Sequence, residues 1–287
     1  MTLIPSYPDI CTLTLDLRPG LHDRLRMLSE GVSEFTFANL YLFREHHNYR
    51  LTMLPGDLPA VTGRDADSTF FMLPFGLPDA GILSRLFTDH ITMKCVTERQ
   101  KTALENLGYN VIEDRNNFDY LYKRTDLAEL HGRKFSKKRN MVNAFINNYT
   151  FTGRPLLEEH IPEALAILEQ WREDHGDEGD YAAAREALEK SWDLQLCGGM
   201  YYVEDRPAAY SLGEELAKGT CFVIHFEKAA QGHKGLYQFI NQSFAAILPD
   251  LYDTINREQD LGDPGLRQAK ESYQPSGFVK KYRAWRP

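Results

Sequence analysis

No stretch of this 287-residue sequence approaches the roughly 20 consecutive apolar residues that span a bilayer. Met1 to Pro19 also lacks the basic start and apolar run of a secretory signal. Both absences lead us to expect a soluble, cytoplasmic protein. Cysteine is scarce: Cys11, Cys95, Cys197 and Cys221 stand far apart, with no CxxC step or other metal-ligand spacing. That argues against a disulfide framework or a metal cluster and for reduced, mostly buried thiols. The histidines, His46 and His47 included, show no metal spacing and are expected on the surface or satisfied in the core. Excess positive charge is missing too. A net charge of −8 and a pI near 5.6 argue against broad nonspecific binding to DNA, although a local basic patch can still hold RNA or a phosphate group.

What is present is 43% hydrophobic and 26% charged, enough to bury a core, in a length that suits two domains. From Tyr149 onward the periodicity is legible. A strand "YTFTG" leads to a helix with Ile161, Leu165, Leu168 and Trp171 at helical spacing, ended by the acidic "DHGDEGD". A second helix carries Tyr181, Ala184, Leu188 and Trp192 on one stripe. Strands "MYYVED", "PAAYSLGEEL" and "TCFVIHFE" follow as a meander. The loop "AAQGHKG" opens the helix "LYQFINQSFAAIL", which Pro249 stops. Next come a strand "YDTIN", a charged loop, and a helix with Asp263 as N-cap and Pro264 at its first position. "FVKKYRAW" closes the chain as a strand. Tyr201, Tyr202, Trp171 and Trp192 are expected to build core. The order is β-α-α-β-β-β-α-β-α-β, and the first half repeats it more faintly. This predicts an internal duplication of one mixed α/β (α+β) fold, with an N-terminal domain over residues 1–135 and a C-terminal domain over 136–287.

That order matches the GNAT acyltransferase fold, a mixed central sheet flanked by helices whose donor binds where the fourth and fifth strands splay apart. Two segments sharpen the resemblance. "GRKFSKKRNMVNAFINNYTFTG" and "GDPGLRQAKESYQPSGFVKKYRAW" resemble the soluble C-terminal domain of bacterial phosphatidylglycerol lysyltransferases and their cytoplasmic relatives. The residues that carry it are Gly265-Leu266-Arg267, Lys270, Tyr273, Pro275 and Lys281-Tyr282-Arg283-Ala284, and "SEFTFANLYLFRE" extends it toward the N-terminus. The resemblance implies two tandem GNAT-like domains of the Fem type, which move an aminoacyl group from charged tRNA to an amine or hydroxyl. No membrane segment is evident to present a lipid acceptor, which weighs against a phospholipid substrate; the acceptor is left open among a small molecule, a peptide and a lipid headgroup.

Acyl transfer requires a base for the acceptor's proton, donors facing the developing oxyanion, and cations for a phosphate-bearing carrier. The stretch "INREQDLGDPGLRQAKESYQP" offers all three. Glu258 or Asp260 is the expected base, Arg257, Arg267 and Lys270 the cations that hold phosphate or carboxylate, and Tyr273 the proton donor, with Asn256 and Tyr282 as further substrate contacts. These acids and cations are expected to meet at one solvent-reachable hollow. A solvated loop with dipole-favoured acids would show the same composition. The helix "SKKRNMVNAFINN" puts Lys137, Lys138 and Arg139 in its first turn, where the dipole disfavours cations. With Ser136 as N-cap, that turn is expected to hold phosphates of tRNA or another carrier.

The loop "AAQGHKGLYQ" occupies the place where GNAT enzymes hold the pyrophosphate of coenzyme A. Gln231, Gly232 and Gly235 keep part of that chemistry at altered spacing. No tightly bound cofactor is expected. The donor is read as aminoacyl-tRNA, with an acyl-CoA-dependent N-acyltransferase as one alternative and a catalytically silent tandem-GNAT module that binds RNA or protein as another. A Cys-His hydrolase is set aside, because Cys221 and His225 on one strand would stand about 13 Å apart. The N-terminal domain shows no comparable charge cluster and is expected to be a scaffold.

Overall fold

A computed structural model describes residues 4–66, 68–176 and 179–287, so Asp177 and Glu178 of the acidic loop lie outside the described residues. The elements are Cys11–Thr12 (β1), Arg18–Arg26 (α1), Phe37–Leu42 (α2), Arg50–Leu54 (β2), Leu58–Asp65 (β3) and Ser68–Met72 (β4). Ala80–Asp89 (α3), Thr92–Val96 (β5), Glu98–Asn106 (α4), Asn110–Glu113 (β6), Asp119–Lys123 (β7), Arg124–Glu129 (α5), Ser136–Asn148 (α6) and Phe151–Pro155 (β8) come next. Ile161–His175 (α7), Tyr181–Glu189 (α8), Ser191–Leu194 (α9), Cys197–Val203 (β9), Arg206–Leu216 (β10) and Cys221–Ala229 (β11) follow. Leu236–Ile247 (α10), Thr254–Asn256 (β12), Pro264–Glu271 (α11), Gly277–Val279 (β13) and Tyr282–Trp285 (β14) complete the chain.

The elements form two seven-stranded mixed sheets, ordered β1-β2-β3-β4-β5-β14-β6 and β13-β7-β12-β11-β10-β9-β8. Each repeats one plan: an antiparallel meander, then one parallel pair reached by a helical crossover. In the first sheet the parallel pair is β4–β5, with Phe70 opposite Thr92. In the second it is β11–β12, from Cys221 opposite Thr254 to Val223 opposite Asn256. By contacts, Met1–Asp119, Gln259–Asp263 and Phe278–Pro287 form one compact unit, and Tyr120–Glu258 with Pro264–Gly277 form another. The break thus falls after Asp119 and not before Ser136, and the last strand belongs to the first unit. The expected closing strand "FVKKYRAW" is two strands, β13 and β14, in different sheets. The apolar-polar alternation of "CTLTLDL" yields a strand only over β1, because a 3-10 turn over Leu15–Leu17 leads straight into α1.

In the first unit Leu83, Leu86 and Phe87 of α3 pack on Phe71, Met93, Tyr282 and Ala284 of the sheet. Beside this core runs a buried charged network. Lys281, 1% exposed, donates to Asp119 Oδ1 at 2.7 Å and to Glu34, and Ser33 donates to Asp119 from both its amide and its hydroxyl. Burial pushes the Glu34 carboxyl up and the Lys281 charge pulls it back, with Asp119 adding to the rise.

In the second unit α5, α6 and α10 cover one sheet face, where Phe145, Phe239 and Phe244 meet Tyr201, Phe222 and Ile255. Helix α7 packs on β10 and β11. Trp192 does not join a core: it is 90% exposed on α9, because that short helix ends at Gln195 in a left-handed turn and only Leu194 of it is buried. Among the described residues no helix is long and apolar enough to cross a membrane.

Candidate active site in the second unit

The site is built where β11 and β12 part. Their pairing stops at Val223 and Asn256, while β11 runs on to Ala229. Just past that point the register of β11 against β10 slips: Leu212 faces Phe226 but Gly213 faces Ile224, which leaves His225 as the extra residue of a bulge. Glycine at 213 permits the close approach, since a Cβ there would stand 2.0 Å from the Val223 carbonyl oxygen.

The bulge aims His225 between two carboxylates. Its Nδ1 lies 2.8 Å from Glu258 Oε1 and its Nε2 3.0 Å from Glu214 Oε1. Burial alone would lower the His225 pKa, but the hydrogen bonds and charges of Glu214 and Glu258 overcome it and hold the pKa at about 10. His225 is therefore an imidazolium at neutral pH. Glu258 itself sits at φ +54, with its amide donating to Asn256 Oδ1 at 2.7 Å. A histidine whose folded pKa exceeds its ordinary 6.5 lends stability that is complete below about pH 6.5 and is lost as pH rises through about 10. Denaturant midpoints should therefore fall between about pH 7 and 10, and His225→Gln should flatten that fall.

The opposite face of the divergence carries a second bridge. Arg257 donates to Glu227 Oε1 at 2.6 Å. Glu227 pairs across β10 with Ser211, whereas Glu214 is three residues further along that strand, so alternation places the two bridges on opposite faces. Burial opposes the Arg257 charge, and the Glu227 carboxylate more than offsets it. Around this pair gather α11 and α6. Lys270 Nζ donates to the Arg257 carbonyl at 2.5 Å, Tyr122 Oη donates to the Lys270 carbonyl at 2.8 Å, and Lys138 Nζ stands 3.9 Å over the Tyr273 ring. Burial pushes the Tyr273 phenol up to about 12. It also lowers Lys138, helped by the charge of Arg257.

The expected single hollow is thus divided. Glu258, Arg257, Lys270 and Tyr273 do gather at the divergence, with Asn256 fully buried beneath them and Arg267 half-buried on α11. Asp260 does not: it belongs to the first unit, is fully buried, accepts from Arg115 at 3.1 Å and from the Gly262 amide at 2.8 Å, and so anchors a turn. Tyr282 is likewise buried in the first sheet, with its hydroxyl 2.6 Å from Glu98 Oε2.

In α6 the N-cap is Phe135, with Ser136 already helical. Arg139 donates to the carbonyls of Leu130 and Gly132, closing the end of α5, and Lys134 pairs with Asp126 at 2.9 Å. Only Lys137 of the three first-turn cations is exposed. Gln231 and Gly232 are exposed, but Gly235 is buried at φ +90, and a Cβ there would stand 2.4 Å from the Met141 carbonyl oxygen. Glu214 and Glu227 are not singled out by the sequence, and His225 is weighed there only as a partner for Cys221. The alternation of "PAAYSLGEEL" and "TCFVIHFE" offered them as buried polar residues on paired strands, but a bulge leaves no mark in that pattern.

The model of the phosphatidylglycerol lysyltransferase C-terminal family matches residues 25–285. The chain belongs to that family. A conserved protein of unknown function from Bacteroides thetaiotaomicron is 31% identical, covers 98% of this chain and 99% of its own, and superposes with a TM-score of 0.88. L-PGS from Bacillus licheniformis shares the fold at 14% identity and a TM-score of 0.63, over 99% of this chain and 94% of that one. So does a tandem GNAT protein from the clavulanic acid biosynthesis pathway, at 8% identity and a TM-score of 0.51, over 96% and 97%. The tandem GNAT-like fold and the assignment to acyltransferases follow. An uncharacterised protein of Mycoplasmoides gallisepticum is 24% identical over 177 residues, 57% of this chain, and the match spans 54% of that relative's length.

Proposed function

We propose that this family member moves an aminoacyl group from tRNA to an amine or hydroxyl acceptor, at the place where β11 and β12 part. The observation that carries this reading is the pair of bridges across the divergence, Glu258 to His225 on one face and Arg257 to Glu227 on the other. In a GNAT enzyme that uses coenzyme A the same gap receives the donor. Here ion pairs cross it on both faces, and the start of α10 is butted against α6 at Gly235. Both features weigh against a donor threaded through the gap and favour an ester presented at its mouth.

Glu258 takes the acceptor's proton as its nitrogen or oxygen attacks the ester carbonyl, and His225 holds that carboxylate in place. From the other side of the gap's mouth, Arg257 faces the negative charge that develops on the carbonyl oxygen. The carbon–oxygen bond to the ribose then breaks, and Tyr273, kept protonated by burial, returns a proton to the leaving oxygen. Lys137 and Arg133, both exposed, meet carrier phosphates.

The first unit serves as scaffold. Gln100 Nε2 donates to the Leu73 carbonyl at 2.8 Å, closing the matching gap after β4 and β5. The Asp79 carboxylate accepts from the Gly81 and Ile82 amides at the start of α3, where a phosphate would be repelled.

Melting curves with a panel of charged tRNAs and acyl-CoAs test the donor. Stabilisation should follow aminoacyl-tRNA, and Lys137→Ala should reduce the salt slope of its binding by about one. Stabilisation by acyl-CoA alone would replace the tRNA reading.

A further inference from the structure

Beneath α10 the second sheet carries more polar atoms than partners. Ser211 and Glu227 stand opposite each other on β10 and β11. Glu227 gives one carboxylate oxygen to Arg257, but its Oε2 is buried without a hydrogen-bond partner among the described residues, and the side chain is only 8% exposed. Ser211, fully buried, has an unpartnered Oγ. Asn241 on α10 is 2% exposed, and neither its Oδ1 nor its Nδ2 is bonded. Its direction follows from helical spacing. Tyr237, one turn before, accepts from the Ala229 amide at 3.3 Å, and the ring of Phe244, one turn after, meets Phe222 at 5.5 Å. Asn241 therefore faces β11 between Phe222 and Ala229, the stretch that contains Glu227.

We propose that Ser211, Glu227 and Asn241 form a subsite for a primary ammonium group carried by one of the substrates. Buried polar atoms are rarely left unpaired, and three such side chains in one place imply a shared guest. An ammonium offers three N–H donors, which match Glu227 Oε2, Ser211 Oγ and Asn241 Oδ1. Asn241 Nδ2 then remains to donate to a neighbouring carbonyl, as an α-amino acyl group would supply. Glu227 makes the bond charge-assisted, the stronger kind. A hydroxyl or a methyl in the same place would leave acceptors unfilled.

The subsite rests on the acyltransferase reading for its place in a reaction, but not for binding. Two sources present the same ammonium: the amino acid carried by the donor, or an amine acceptor. Calorimetric titration of the full chain at about pH 6.5, where both are protonated, separates them. Alaninamide is compared with propionamide for the first source, and 1,4-diaminobutane with 1,4-butanediol for the second. At least one charged probe should bind on the order of 10- to 100-fold tighter than its neutral counterpart, and Glu227→Gln should erase that preference. The pair that shows it names the source. Ser211→Ala, which leaves the Arg257 bridge untouched, should cost roughly 3- to 10-fold, and so tests the subsite even if Glu227→Gln fails to fold. No preference for either charged probe, or one that survives both substitutions, would mean the atoms hold only structural water and would overturn the proposal. Loss of the tRNA reading with the preference intact would leave the subsite standing.

Discussion

Glu258→Gln should lower the turnover of aminoacyl transfer by about 10²- to 10⁴-fold, the range a positioned base contributes. The amide keeps an acceptor for the His225 Nδ1 proton but takes no proton from an acceptor substrate. Some stability is lost with the charge, on the order of 1–2 kcal/mol, because His225 then has Glu214 as its remaining carboxylate. Asp260→Asn provides the contrast. Its carboxylate is fully buried against Arg115 and the Gly262 amide in the first unit. Its loss should therefore appear in the melting temperature, while turnover per folded molecule stays within a few-fold of wild type. Single-turnover transfer from purified charged tRNA measures both. Unchanged turnover in Glu258→Gln would remove the base from this face of the sheet.

The second large effect concerns stability alone. Lys281→Met should cost on the order of 3–5 kcal/mol, because the substitution leaves Asp119 and Glu34 buried without their cation. The methionine fills most of the volume, so the loss is one of charge and not of packing. Glu34 already has a raised pKa in the folded protein, through burial and the charge of Asp119, and removing Lys281 raises it further. Protonation of Glu34 relieves part of the unpaired charge. The deficit should therefore be smaller at about pH 5 than at pH 8, as urea midpoints would record. A loss below about 1 kcal/mol with no pH dependence would mean the network contributes little.

Lys281 also shows where the sequence was legible and where it was not. The tail Lys281-Tyr282-Arg283-Ala284 helped to carry the family resemblance, and its residues prove to be fastenings of the first sheet: Lys281 to Asp119, Tyr282 to Glu98, Arg283 to Asp114 at 2.5 Å, and Ala284 packed in the core. A motif identifies a family without saying which of its members touch substrate.

Periodicity gave the meanders, the crossover helices and the repeat of one plan, because burial on one face writes a period into each element. It could not give the membership of β7 and β14, since sheet pairing is set by partners distant in sequence. Nor could it separate Glu258 from Asp260. Two acids two positions apart in a charged loop look alike on paper, and only folding sends one to His225 and the other to Arg115. His225 illustrates the same limit: its spacing from Cys221 was the visible relation, while its real partners came from the neighbouring strand and the loop after β12.

The place of β14 governs how the protein can be made. The gap between β5 and β6 is filled by Tyr282–Trp285, so the first sheet cannot be whole until a ribosome has released the chain through Trp285. Until then two strand edges stand bare, open to pairing with any other unfinished chain. The early-made half therefore matures last, and its completion depends on contacts of very long sequence separation, which form slowly.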